Sequence, residues 1–252
     1  MKNPLFKNAH VFFSSLLIFT LHLPFVFANI KPVASNKTVI AKTFTVTETS
    51  LKRSNDLSVI YDELELNRAG LSEDAFKYAM KGYDYLKAKG KIINEDIISI
   101  VDFTKPSSQK RLFVIDLKNC KTIFNTYVAH GQGSGEEFAS RFSNIPESYQ
   151  SSLGFYITSD TYVGKNGYSL RLNGLEAGIN NRADERAIVV HGAPYVSESY
   201  IRSKGYIGRS WGCPAVPEKL CKPIIEKIKN GTCLFVFGKN KKYIKHSRIL
   251  NS

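Results

Sequence analysis

The strongest constraint on the fold is a change of period near Ile97. Before it, apolar residues recur every three or four positions. After it they fall into short runs rich in β-branched and aromatic residues, separated by turn residues: "IISIVDF", "RLFVIDL", "TIFNTYVAH", "GFYIT", "YSLRL", "AIVVHG" and "TCLFVF". Runs of this length and composition read as strands. The earlier pattern reads as helix. "NDLSVIYDELEL" puts Leu57, Ile60, Tyr61 and Leu64 on one face. Ser72 is placed to cap a second helix with Glu73 and Asp74 in its first turn, and Gly90 ends it. The stripe Ala75, Phe76, Ala79, Met80, Tyr83, Leu86 in that helix reads as core packing. The expected fold class is mainly β with helices: a β-rich catalytic domain behind a small helical segment.

Several stretches lie outside this pattern. Lys2 and Lys7 precede the uncharged "VFFSSLLIFTLHLPFVFA", which ends in Val26-Phe27-Ala28. This is the form of a secretory signal peptide, residues 1–28; a retained membrane anchor is the rival reading, disfavoured because Pro24 and His22 shorten the clean apolar stretch. Residues 29–54 are polar and aperiodic and read as a linker. The helical segment is then 55–94, the β-rich domain 95–238, and 239–252 a basic tail, "KNKKYIKHSR" within it, expected to be solvated and frayed. "PEKLCKPIIEKIKN" opens with a proline suited to a first helical turn, while Pro223 is expected to divide the helix into two pieces.

Charge and cysteine content narrow the function. The chain carries a net +13, about +11 once Lys2 and Lys7 leave with the signal. A basic exported protein suits acidic wall polymers or lipid head groups, and no nucleic-acid motif accompanies the charge. The four cysteines, Cys120, Cys213, Cys221 and Cys233, form no C-x-x-C pair, so a zinc site of the usual spacing is unsupported; no metal or cofactor is expected. Cys221 and Cys233 are left open between a disulfide and two buried thiols.

"GRSWGCPAV", Gly208 to Val216, holds two potential nucleophiles. Ser210 stands in G-x-S-x-G, the serine-hydrolase elbow, but that fold needs an acid and then a histidine downstream. Only His246, in the basic tail, follows, with Glu218 and Glu226 as the only carboxylates. Cys213 has better company. A thiolate needs an imidazole or a helix N-terminus nearby, and a helix opens at Pro217 while His191 ends the apolar strand "RAIVVHG". Gly192 and Gly212 permit close backbone approach, and N–H groups at Gly212 and Cys213 could form an oxyanion hole. "GQGSGE" lacks the last glycine of a phosphate loop and reads as a flexible cleft-edge loop, with His130 at its start expected to line the site.

His191-Gly192 followed by "GRSWGCPAV" resembles the H-G … S-x-G-C signature of YkuD-type L,D-transpeptidases. "RLFVIDL", "VAHGQGSGE", "SSLGFYITSDTYVGKNGYSLRLNGLE" and "ERAIVVHGAPYVSE" are similar to their murein L,D-transpeptidase catalytic-domain subfamily. The resemblance spans about residues 95–238. It implies Cys213 as nucleophile, His191 as base, the Gly192 carbonyl as orienter of the imidazole, Gly212 and Cys213 amides as oxyanion hole, and Ser210 in support. Peptidoglycan stem peptides are then the substrate, and periplasm or cell wall the location. The commoner S-H-G-C pattern continues with Arg or Asn. Trp211 and Pro214-Ala215 stand here instead, which shifts carboxylate binding to Arg209 and Arg171, beside Trp211 as a further substrate contact.

Overall fold

The computed structural model describes residues 55–252; the expected signal peptide and linker lie outside the described residues. The architecture is mainly β with helices. Among the described residues three helices come first, α1 (Asn55–Glu63), α2 (Leu66–Ala69) and α3 (Glu73–Ala88). Ser72 caps α3 as expected, its side chain accepting from the Ala75 N–H. The stripe from Ala75 to Leu86 is buried throughout. Gly82 shows how tightly α3 sits, since a Cβ there would stand 1.9 Å from Cζ of Phe155.

Among the described residues eight strands form one sheet: β1 (Ile97–Asp102), β2 (Leu112–Asp116), β3 (Lys121–Thr126), β4 (Gly154–Gly164), β5 (Gly167–Gly174), β6 (Val189–Ala193), β7 (Ala215–Pro217) and β8 (Cys233–Phe237). Their spatial order is β3-β2-β1-β8-β4-β5-β6-β7. The last strand thus lies in the middle, parallel to β1 and antiparallel to β4. Strands β1, β2 and β8 are buried along their whole length, which explains their unbroken apolar runs. Phe155 on β4 stacks on Phe235 of β8 with ring centroids 4.2 Å apart. Two short helices complete the surface, α4 (Glu198–Lys204) and α6 (Lys241–His246), with α5 (Glu218–Ile228) packed on β6.

Two expectations are corrected and one open choice is decided. First, α5 is a single helix with Pro223 inside it. Pro223 and Lys219 are both exposed, so the carbonyl that loses its intrahelical partner can turn to water. Second, no disulfide joins Cys221 to Cys233; both are buried free thiols. Third, the basic C-terminus is not frayed. Asn240 caps α6, Tyr243, Ile249 and Leu250 are buried, and the Tyr243 and Ser247 hydroxyls donate to the carboxylate of Glu176.

Glu176 is therefore the anchor of the C-terminus. It also accepts the Phe155 N–H at 2.8 Å, and burial raises its carboxyl above the usual range, opposed by these donors. Glu176→Ala would leave one buried N–H and two buried hydroxyls without their acceptor, each costing about 1–3 kcal/mol. Urea unfolding is expected to report a loss on the order of 3 kcal/mol, with Glu176→Gln recovering part of it. A variant as stable as the parent would remove this anchoring role.

Candidate active site

The site lies at the β5–β6–β7 end of the sheet. Val189 and Val190 are buried in β6, and His191 follows on the same strand. His191 pairs with Ser169 of β5 and with Ala215 of β7, so the turn carrying Cys213 enters the sheet directly beside the histidine. Gly192 is small for a reason: a Cβ there would meet Glu218 Cα at 3.2 Å and Cys221 Cβ at 3.1 Å, where the first turn of α5 crosses β6.

The imidazole's tautomer follows from its partner. His191 Nδ1 lies 2.9 Å from the Gly192 carbonyl, which can only accept, so Nδ1 carries the proton and Nε2 presents a lone pair. Burial pulls the imidazole below the usual histidine range, partly opposed by the Gly192 bond. Burial pushes the half-buried Cys213 thiol above its usual value. Approach of the Val189 N–H, the Arg186 charge and the Cys213 N–H oppose that rise. High thiol and low imidazole together make a neutral resting pair at neutral pH. The proton then has to move as a substrate reacts rather than beforehand.

Ser210 is built into the turn and is not free. Its Oγ donates to the Cys213 carbonyl at 2.6 Å and accepts the Gly212 N–H at 3.1 Å. Its backbone bridges Gly131, with its N–H on His130 O at 3.0 Å and its carbonyl accepting Gln132 N–H at 2.8 Å. Gly212 adopts φ +127°, and a Cβ there would come within 2.9 Å of both Gln150 O and Ile188 Cδ1, so only glycine fits. The Gly212 carbonyl accepts from Ser151 Oγ at 3.1 Å. Of the two amides expected to form an oxyanion hole, the Gly212 N–H is engaged within the turn by Ser210 Oγ.

The remaining candidates fall in different places. Trp211 is 69% exposed, its ring 5.6 Å from the 41% exposed Tyr149. Arg171 shares the His191 face of the sheet through its pairing with Val189, but it is stacked over Tyr162 and 3.8 Å from Asp184. Arg209 donates to Gly135 O at 3.3 Å, on the loop from residue 131. That loop is a 3-10 turn, Gln132–Ser134, laced to its neighbours rather than loose: Gly133 N–H reaches Tyr149 O and Ser134 Oγ accepts the Ser151 N–H.

His130 does not line the cleft. It is 0% exposed. Arg111, also wholly buried, has no acceptor atoms, so its Nη2 donates to His130 Nδ1 at 2.7 Å, and His130 Nε2–H then points to Gly135 O at 3.3 Å. Burial, then the Arg111 charge, hold this imidazole down to about 3. It is a neutral structural post beneath the loop. Sequence reasoning missed Ser151, Gln150 and Arg186. They come from polar, aperiodic stretches, and only the arginine at the head of an apolar strand offered a signal.

A family model described as the L,D-transpeptidase catalytic domain matches residues 67–237. Comparison with curated proteins finds no match. Among solved structures, the chain is similar to an L,D-transpeptidase from Mycobacterium smegmatis, with 11% identity, 57% of this chain and 59% of that one covered, and a TM-score of 0.36. It is similar to L,D-transpeptidase 3 from Mycobacterium tuberculosis, with 13% identity, 57% and 61% covered, and a TM-score of 0.35. An L,D-transpeptidase (Yku) from Stackebrandtia nassauensis has 16% identity, 73% and 77% covered, and a TM-score of 0.36. The chain thus spans about three-fifths of the length of the mycobacterial structures. Among the described residues no His, Cys, Asp and Glu cluster suits a metal, and no helix is long and apolar enough to cross a membrane.

Proposed function

Since the chain belongs to the family of L,D-transpeptidase catalytic domains, we propose that it is an exported cysteine enzyme that acts on tetrapeptide stems of peptidoglycan. Cys213 Sγ attacks the carbonyl of the third stem residue while His191 Nε2 takes the thiol proton. The oxyanion that forms is met by the Cys213 N–H. Collapse breaks the amide bond, His191 returns the proton to the departing D-alanine nitrogen, and a thioester remains. An amine of a second stem then attacks the thioester, releasing Cys213.

The observation that carries this reading is the tautomer of His191. A bond from Nδ1 to the Gly192 carbonyl at 2.9 Å leaves a basic Nε2 on the strand beside the Cys213 turn. Gly192 acts as the orienting carbonyl, and Ser210 supports the reaction by shaping the turn. Trp211 and, after exchange of their present partners, Arg171 and Arg209 are the groups available to a stem peptide and its carboxylates. The signal-like residues 1–28 support export to the periplasm or wall, and the basic charge suits acidic wall polymers.

Incubation of the protein with defined tetrapeptide muropeptides, with products read by mass, tests the proposal. Cross-linked dimers with loss of D-alanine are expected. Free tripeptides alone would make water the acceptor and the enzyme an L,D-carboxypeptidase. Unchanged substrate would remove the proposed activity.

A further inference from the structure

We propose that the Arg186–Ala187 turn positions the Cys213 sulfur: the Ala187 carbonyl holds the thiol hydrogen at rest, and the Arg186 guanidinium is the fixed countercharge for the thiolate. This rests on Cys213 being the nucleophile. Ala187 has φ +51°, a left-handed conformation that costs a residue with a Cβ. The turn is closed by Arg186 N–H on Arg182 O at 3.0 Å and Ala187 N–H on Asp184 O at 2.9 Å. Its outcome is that the Cys213 thiol donates to Ala187 O at 3.5 Å.

Arg186 has an unusual set of partners. Nη1 donates to Ser143 O at 2.8 Å and Ser152 Oγ at 2.5 Å, and Nη2 to Gln150 O at 2.5 Å and Ser148 Oγ at 3.4 Å. All four are uncharged. The carboxylate next to it in sequence, Glu185, is taken by Arg182 at 2.7 and 2.6 Å. Nη2 lies 3.3 Å from where a Cβ of Gly212 would stand, so the charge abuts the backbone leading into Cys213. A half-buried cation without an anion is costly to keep, and Cys213 is the neighbour that becomes an anion during the reaction.

The other groups facing this pair stay uncharged or are already paired. Tyr195, near the sulfur, is pushed up to about 12 by burial and by Cys213. Tyr156, near Arg186, is raised well above the usual phenol range by burial. Arg182 faces Arg186 but is bound to Glu185. His191, its imidazole held below the usual histidine range by burial, is neutral at rest.

The test is the pH profile of Cys213 alkylation by iodoacetamide, read by peptide mass so that exposed Cys120 does not interfere, alongside thermal melting. In Arg186→Gln the profile is expected to move to higher pH by about one unit, giving roughly tenfold slower alkylation at neutral pH and a wild-type limiting rate in alkali. Arg186→Lys keeps the charge but not the forked bonds, so it should melt lower yet alkylate within about threefold of wild type. A glutamine profile that superimposes on wild type would overturn the inference and leave Arg186 a mere clamp. If the glutamine variant does not fold, the lysine variant decides: a profile displaced along with its melting temperature overturns the inference. Turnover of muropeptides by Cys213→Ala would instead sink the reading beneath it.

Discussion

Cys213→Ala is expected to reduce muropeptide turnover to background, because the proposed reaction holds the acyl chain on the Cys213 sulfur, on the turn that enters the sheet beside His191. Ser210 is the alternative raised by the G-x-S-x-G spelling. Its Oγ is already committed, donating to the Cys213 carbonyl at 2.6 Å and accepting the Gly212 N–H at 3.1 Å. Ser210→Ala should therefore weaken the enzyme by loosening the turn, not by removing a nucleophile. Leaving the buried Gly212 N–H unpartnered costs about 1–3 kcal/mol, so a loss of roughly tenfold to a hundredfold in turnover is expected. Steady-state rates of the two variants, measured side by side, separate these outcomes. Background activity in Ser210→Ala with turnover retained in Cys213→Ala would restore the serine elbow.

The second large effect belongs to His191. His191→Ala is expected to slow acylation by about 10²- to 10⁴-fold, the range for a lost general base. Its pH dependence follows from the buried imidazole. The base works only when neutral, and its pKa lies below that of a free histidine. The acid limb of wild-type turnover should therefore fall below about pH 6.5, with activity lost as pH drops through the depressed value and flat just above it. His130→Ala is expected to behave differently. It removes the acceptor of a buried arginine bond, worth about 1.5–3 kcal/mol, so stability should fall while the acid limb stays in place. An acid limb that moves with His130 and not with His191 would exchange their roles.

Much of this fold is legible in the sequence, because strands buried on both faces need unbroken apolar runs and α3 needs its stripe. Elements held by tertiary contacts are harder to see. β7 is three residues, preceded by Pro214 and ending in Pro217, and exists because it pairs with His191, Gly192 and Ala193. α4 buries no side chain, so it has no apolar face to read, although Ser197 caps it. The C-terminus reads as a solvated basic end because periodicity carries no trace of a carboxylate at Glu176 waiting for Tyr243 and Ser247. In the site, Cys213, His191 and the two glycines stand out through residue type and order. His130 shows the limit of that approach. A histidine beside a glycine-rich loop looks like a cleft residue until Arg111, fully buried and 2.7 Å away, is seen to claim it.

The proposed reaction requires a covalent bond between Cys213 and the stem peptide. It is tested most directly by mixing wild-type protein with a tetrapeptide muropeptide, quenching in acid, and mapping the adduct by peptide mass. An added mass equal to the whole substrate less D-alanine is expected on the peptide containing Cys213, and absent from Cys213→Ala. An adduct on any other residue, or product formation with the Cys213 peptide unmodified at every quench time, would contradict it.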